Sequence, residues 1–82
     1  MKVLVNVFVP AISEDYDLLI PTCMSIREVT TLMTEAIIYL SNNRYISSGQ
    51  EFICLYEQNI LLQDALTLRD YGVRNGDHLV YM

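Results

Sequence analysis

The chain has 82 residues and a net charge of −5, and 52% of its residues are hydrophobic whereas only 18% are charged. This length accommodates one hydrophobic core, so we expect a single domain spanning residues 1–82. The five basic residues are scattered, which argues against nucleic-acid binding because a phosphate backbone attracts clustered cations. Soluble domains average about 25% charged residues. The shortage here predicts outward-facing apolar side chains, as on a surface that docks onto another molecule.

The apolar N-terminal segment, Val3–Val9, is too short to hold the chain in a membrane. Asn6 interrupts it and Pro10 ends it, far short of the ~20 apolar residues that a spanning helix needs. The basic region and small-residue cleavage site of a signal peptide are also missing. Two cysteines, Cys23 and Cys54, are too few for a disulfide framework or a four-ligand zinc site. We therefore predict a cytoplasmic protein with free thiols, no bound metal and no direct membrane insertion.

Alternating side chains predict a β-hairpin at the start of the chain. Residues Lys2–Val9 place four valines on one side of a strand. A turn over Pro10–Asp15 leads to a second strand, Tyr16–Ile20, whose alternate residues Tyr16, Leu18 and Ile20 are expected to face the core. Pro21 ends this strand because proline has no amide hydrogen for the ladder.

A capping box predicts where the helix begins. In the segment Ser25–Glu28, the hydroxyl and the carboxylate can each satisfy a free amide of the first turn. Helical spacing then predicts a helix over Ile26–Leu40 with one apolar stripe about 100° wide, whereas Ile38 is expected to point away from that stripe. The residues of the stripe are Ile26, Val29, Met33, Ala36, Ile37 and Leu40.

Three further strands are predicted in the second half of the chain: Glu51–Tyr56, the short Ile60–Leu62, and His78–Met82. A single helix that connects a hairpin to later strands is the ββαββ pattern of an α+β domain. The sequence therefore predicts a mixed sheet with one helix packed across one face.

The segment Thr67–Val73, the turn Arg74–Asp77 and the strand that follows resemble the last third of ubiquitin-like β-grasp proteins. The resemblance implies a mixed sheet in which the first and last strands are parallel and central. Ubiquitin and its conjugated relatives continue into a reactive Gly-Gly tail, whereas this chain ends at Met82 with no glycine beyond Gly76. We therefore expect a binding module. The alternative is a covalent modifier or sulfur carrier whose Gly-Gly is missing from this chain.

The turn Asn75-Gly76-Asp77-His78-Leu79 is similar to one in the small bacterial ubiquitin-like proteins of type VII secretion loci, the YukD or EsaB type. Those proteins are also about this long and stop at the last strand. The resemblance implies a non-enzymatic, cytoplasmic accessory protein of the secretion system. Its partner would be the membrane-bound ATPase or another subunit of the apparatus.

No catalytic, cofactor-binding or metal-binding group is predicted. His78 is the only histidine, and no cysteine or carboxylate lies at ligand or triad spacing from it. The acidic turn around Asp15 and Asp17 lacks the alternating ligands of a calcium loop, so we interpret it as solvated. Tyr71 matches a family tyrosine whose hydroxyl bonds the preceding loop, and Gly76 is expected to adopt positive φ in a turn.

Strand alternation separates two faces of the predicted sheet. The face towards the helix should carry Val3, Val5, Ile53, Leu55, Leu79 and Tyr81. The opposite face should carry Leu4, Phe8, Phe52, Cys54, Tyr56, His78, Val80 and Met82. Single exposed apolar residues are ordinary, but a contiguous set indicates binding. Tyr56 also falls where ubiquitin has the central isoleucine of its recognition patch. We therefore predict a protein-binding face, whose partner is another protein or a second copy of the chain in a two-fold dimer.

Overall fold

The computed structural model describes all residues from Met1 to Met82. A five-stranded mixed sheet has the order β2-β1-β5-β3-β4, in which only the central pair β1–β5 is parallel. A single helix packs across one face, so the element order is ββαβββ with β4 as a two-residue edge strand. The elements are β1 Lys2–Val9, β2 Glu14–Pro21, α1 Ile26–Leu40, β3 Ile53–Leu55, β4 Ile60–Leu61 and β5 His78–Tyr81.

The N-terminal hairpin is longer than predicted at both ends of β2. All eight residues of β1 pair with β2, from Lys2 opposite Pro21 to Val9 opposite Glu14. A short 3-10 turn over Pro10–Ile12 and a left-handed residue, Ser13 at φ 52°, reverse the chain in four residues. The turn is therefore tighter than the predicted six residues, and β2 begins two residues before Tyr16.

The helix has the predicted bounds, Ile26–Leu40. The Ser25 hydroxyl accepts a hydrogen bond from the Glu28 amide at 3.3 Å and donates one to the Glu28 carboxylate at 3.0 Å, which satisfies an otherwise free donor of the first turn. The predicted stripe is buried at Ile26, Val29, Met33 and Ile37. No helix in the structure has the length and apolarity that a membrane crossing requires.

Two predictions at the end of the helix are wrong. Leu40, assigned to the buried stripe, is 47% exposed, whereas Ile38, expected to point away, packs against the core. The reason is the segment that follows: the chain turns back after Ser41, and the buried Tyr45 occupies the core at this end. Its ring meets the Tyr81 ring edge-on, with centroids 5.5 Å apart. Helical spacing alone cannot predict a contact made by a residue that lies beyond the end of the helix.

The three later strands lie where predicted but are shorter. Backbone pairing nevertheless continues past β3 and β5, because the amides of Phe52 and Met82 each donate to the other's carbonyl, at 2.7 and 2.9 Å. Similarly, the Leu62 amide donates to the Ile53 carbonyl beyond the end of β4. The predicted alternation of faces is therefore correct over residues 52–56, although only Ile53–Leu55 form a regular strand.

The predicted helix-facing set forms the centre of the core. Val5, Leu55, Leu79 and Tyr81 are almost completely buried. The Tyr71 hydroxyl accepts a hydrogen bond from the Gln63 amide at 2.9 Å, which confirms the predicted structural role of this tyrosine.

The turn before β5 extends the central parallel pair of strands. The Asn75 side-chain carbonyl accepts from the Leu4 amide at 2.8 Å, and the Gly76 amide donates to the Leu4 carbonyl at 2.9 Å. The Asp77 carboxylate accepts from the Arg74 amide. Gly76 has a φ of 90°, a conformation that favours glycine. These turn residues therefore have a structural role, as predicted for Gly76.

Glu51 closes the loop between the helix and β3 instead of beginning the strand. Its carboxylate accepts hydrogen bonds from the Tyr45 hydroxyl at 2.8 Å, and from the Ser47 hydroxyl and the Ser48 amide at 2.7 Å each. Burial raises the pKa of this carboxyl, but the three donors outweigh burial and lower the pKa to about 2. The ionised form of Glu51 therefore stabilises the folded loop.

Replacing Leu79 with alanine should destabilise the domain strongly. Leu79 is fully buried between helix and sheet, so its loss combines a transfer term with a cavity and should cost about 2–5 kcal/mol. A small domain has a total stability of only about 5–15 kcal/mol, so the loss should be plain in thermal melts. Leu19→Ala, the same change at a residue 58% exposed, is the matched control. Equal melting temperatures for the two variants would mean that the strand register is shifted by one residue.

The hydrogen bonds to the Glu51 carboxylate should make the stability of the domain depend on pH. Because the folded pKa lies below the usual 4.5, the stabilisation is complete above that pH and is lost as the pH falls towards about 2. Glu51→Gln should therefore lower the melting temperature at pH 7 and make its decline between pH 4.5 and 2 shallower. Glu35→Gln, at an exposed helix position, is the control for lost charge. If the melting temperatures of Glu51→Gln and wild type changed identically with pH, the stabilising role of the ionised Glu51 carboxylate would be contradicted.

Candidate protein-binding face

Six of the predicted face residues form three cross-strand pairs on the side of the sheet away from the helix. Cys54 lies opposite Val80 in the β3–β5 ladder. The same register continues at both ends, because the backbones of Phe52 and Met82 bond each other and the Tyr56 amide donates to the His78 carbonyl at 3.0 Å. Side chains directly opposite each other in such a ladder are in contact range. The structure therefore brings these six residues together.

The neighbouring strands extend the middle pair into a row of four residues. On one side, Phe8 of β1 lies beside Val80, and on the other Leu61 of β4 lies opposite Cys54. Phe8 and Leu61 are exposed, and Val80 and Cys54 are half-buried between them. We call the apolar set Phe8, Phe52, Cys54, Tyr56, Leu61, Val80 and Met82 the sheet patch.

Leu61 is a residue that the sequence prediction missed. It is 56% exposed, and it continues the row that begins at Phe8. The signal was present in the alternation of Ile60-Leu61-Leu62, because a buried Leu62 requires Leu61 to face the other way. The sequence predicted the strand Ile60–Leu62 but not its pairing with β3. It therefore did not show that Leu61 lies beside Cys54 on the open face.

Leu4 shares this face but lies apart from the sheet patch. Two residues of one strand that are four apart are about 13 Å distant, and Asn6 lies between Leu4 and Phe8. The Asn6 side-chain NH2 group donates to the Asp15 carboxylate at 2.7 Å and to the Asp17 carboxylate at 3.2 Å. This polar cluster separates Leu4 from the apolar row, so the predicted eight residues do not form one contiguous surface.

His78 borders the sheet patch as part of a polar pair. Its Nδ1 lies 2.6 Å from a Glu57 carboxylate oxygen, and the same carboxylate accepts from the His78 amide. The hydrogen bond with the His78 side chain holds the pKa of Glu57 below its ordinary value. Both side chains are about half exposed, and no group of three or more His, Cys, Asp or Glu residues is arranged to hold a metal ion. The pair fixes the end of β5 against the turn after β3.

The surface beside Tyr56 is concave. A hollow of about 290 Å³ lies between Phe8, Tyr56 and Val80, with His78 and Asp15 at its margin. Tyr56 is 68% exposed, so its ring forms a wall of the hollow rather than its floor. An apolar wall with polar groups at the margin is the arrangement that accepts an anchoring side chain.

Three solved structures share the fold of this chain over nearly its whole length. A ubiquitin-like domain of an Arabidopsis thaliana protein has a TM-score of 0.75 at 15% identity, covering 99% of this chain and 76% of the other. The UBL domain of Plasmodium falciparum Dsk2 has a TM-score of 0.71 at 20% identity over 100% of both chains. Ubiquitin of Caldiarchaeum subterraneum has a TM-score of 0.70 at 16% identity, covering 99% and 91%. No protein-family model matches the chain, and no curated protein sequence matches it.

These comparisons define the fold as the ubiquitin-like β-grasp fold, which confirms the fold predicted from the sequence. Sequence identities of 20% and below, together with these TM-scores, establish a shared fold but indicate no particular activity. Nothing in them bears on the finer resemblance to the YukD or EsaB type. The role of the sheet patch therefore has to be argued from its own chemistry.

The two free thiols should differ in reactivity. Cys54 is half-buried within the sheet patch, whereas Cys23 is exposed. The Arg69 guanidinium, 3.9 Å from the Cys23 sulfur, and the Thr22 hydroxyl lower the pKa of Cys23, and the thiolate is the reactive form. A disulfide reagent should therefore modify Cys23 first, and Arg69→Gln should slow that phase alone. A single phase for both thiols in the native protein would contradict the burial of Cys54.

Proposed function

We propose that this domain is a non-enzymatic protein-interaction module and that the sheet patch is its docking surface. The observation that carries the proposal is the row Phe8–Val80–Cys54–Leu61, with the exposed Tyr56 ring beside it. The helix covers the other face of the sheet, so this face is left uncovered. Exposed apolar residues that adjoin one another, with polar groups at the margin, are typical of interaction sites.

The cellular role that we propose is that of a cytoplasmic accessory protein of a type VII secretion system, binding its membrane-bound ATPase or another subunit. The support is the resemblance to YukD and EsaB in the turn Asn75-Gly76-Asp77-His78-Leu79. The Asn75 side chain in this turn bonds β1 to the start of β5, so the turn has a structural role. The choice of partner rests on the resemblance alone. A neighbouring gene for an FtsK-type ATPase, together with genes for small helical WxG proteins, is the expected genomic context.

The alternative function is a covalent modifier or sulfur carrier, which requires a C-terminal Gly-Gly for activation. Intact mass of the native protein and denaturing blots of cell extract distinguish the two classes. An interaction module should give one band at the mass of the unmodified protein. A ladder that resists boiling and reductant would instead indicate covalent conjugates.

Replacing Tyr56 with aspartate should weaken docking without unfolding the domain. Interface energy concentrates in a few central aromatic and aliphatic anchors, so we expect a loss of about 2 kcal/mol or more, roughly 30-fold in Kd. The melting temperature should barely change because Tyr56 is already largely in water. Binding is measured by calorimetry against the cytoplasmic part of the FtsK-type ATPase from the same locus, and self-association by sedimentation.

The matched control is Tyr39→Asp, the same change at a residue 83% exposed on the helix. It should bind like wild type. Normal binding by Tyr56→Asp together with loss of binding by Tyr39→Asp would place the contact surface on the helix side, around Leu32 and Tyr39. Loss of a dimer rather than of ATPase binding in Tyr56→Asp would identify a second copy of the chain as the partner.

A further inference from the structure

Beside the apolar hollow of the sheet patch lies a second, acidic hollow. It has a volume of about 410 Å³, and the Asp15 and Asp17 carboxylates are among its walls. The two hollows share Asn6, Asp15 and His78, so they adjoin. An apolar site and a negatively charged site are therefore available to neighbouring side chains of one partner segment.

The charge of this second hollow is not neutralised within the chain. Asp15 and Asp17 each accept one hydrogen bond from the Asn6 side-chain NH2 group. Neither forms an ion pair with a Lys or Arg residue. The one lysine on this face, Lys2, lies four residues along β1 from Asn6, which is the residue opposite Asp17, and four residues span about 13 Å in an extended strand. The margin of the sheet patch is therefore anionic.

We propose that the segment which docks on the sheet patch is amphipathic and basic, with an apolar anchor adjacent to Lys or Arg. This inference rests on the proposed function and adds the chemistry of the partner. The anchor enters the hollow between Phe8 and Tyr56, and the cation lies against Asp15 and Asp17. The exposed Tyr56 ring offers the same cation a favourable face. Complementary charge of this kind fixes which partner binds and in which orientation.

Charge complementarity also disfavours the other occupants of this surface. A second copy of the chain would bring its own Asp15, Asp17 and Glu57 to the interface, and Arg44, the arginine held at β2, is already paired with Glu14. Like charges brought together at an interface cost affinity. An anionic lipid surface or a nucleic acid would be repelled for the same reason.

The test uses three synthetic amphipathic helical peptides that share one Leu/Phe face and differ only in the flanking residues, which are Lys, Gln or Glu. Titration into the isotope-labelled protein, followed by two-dimensional NMR, locates the contact and gives Kd at low and high salt. The Lys peptide should shift the amide signals of Phe8, Tyr56 and Val80 and bind about tenfold or more tightly than the Glu peptide, a ratio that salt should reduce because it screens exposed charges. Tyr56→Ala, which removes the ring without adding a charge, should weaken the binding of the Lys peptide at both salt concentrations.

Charge-removing variants assign the effect to the acidic hollow. The double variant Asp15→Asn, Asp17→Asn keeps acceptors for Asn6 and should bring the Lys-to-Glu ratio close to one. The control Glu35→Gln, Asp64→Asn removes the same charge from an exposed position on the helix and from one in the loop after β4 and should leave the ratio unchanged.

Three outcomes would overturn the inference. They are equal binding of the three peptides, a failure of the Lys peptide to shift the sheet-patch signals, and dilution-dependent shifts that reveal self-association through this face. The proposed docking function is judged separately, by binding of Tyr56→Asp to the ATPase. Should that binding depend on Tyr56 but be insensitive to Asp15, Asp17 and salt, the docking surface stands and its preference for a basic partner fails.

Discussion

The parallel pairing of β1 with β5 is the constraint on which the rest of this structure depends. It places Phe8 beside Val80 and Asn6 beside His78, and through β5 it sets the register of β3 and β4. Because side chains alternate along a strand, this one alignment assigns every sheet residue to the helix side or to the open side, and a shift by one residue would exchange the two. The Asn75 turn secures the alignment by bonding both backbone groups of Leu4.

The two faces of the sheet differ in burial because the helix can cover only one of them. On the helix side, Val5, Leu55 and Leu79 are almost completely buried, and their burial is the main source of stability. On the open side, the corresponding residues remain partly in water, so changes there should cost less stability, and under the proposed function they should alter recognition instead. Val80 is half-buried in the central strand, so a change there would affect both stability and the open surface. Tyr56 is largely exposed and is therefore the better residue for separating effects on binding from effects on stability.

Local patterns predicted much of this molecule, and contacts between distant segments account for what they missed. The helix bounds followed from Ser25, Glu28 and the apolar stripe, and the two faces followed from strand alternation. Leu40 was placed wrongly because Tyr45 returns to the core after the helix, a contact that helical periodicity does not encode. Leu61 and the acidic margin were missed because they join the face only through pairing with β3 and β1. Glu51 was assigned to a strand because nothing local distinguishes it from a strand residue.

The central claim is that partners dock on the open face of the sheet and not on the helix. Cross-saturation NMR tests it most directly: the deuterated, nitrogen-15-labelled domain is mixed with the unlabelled cytoplasmic part of the proposed ATPase partner, and saturation of the ATPase is transferred to amides at the interface. We expect loss of intensity at the amides of Phe8, Tyr56, Val80 and Met82 and full intensity at Leu32 and Tyr39 on the helix. Losses confined to the helix, with the sheet amides unaffected, would contradict the claim.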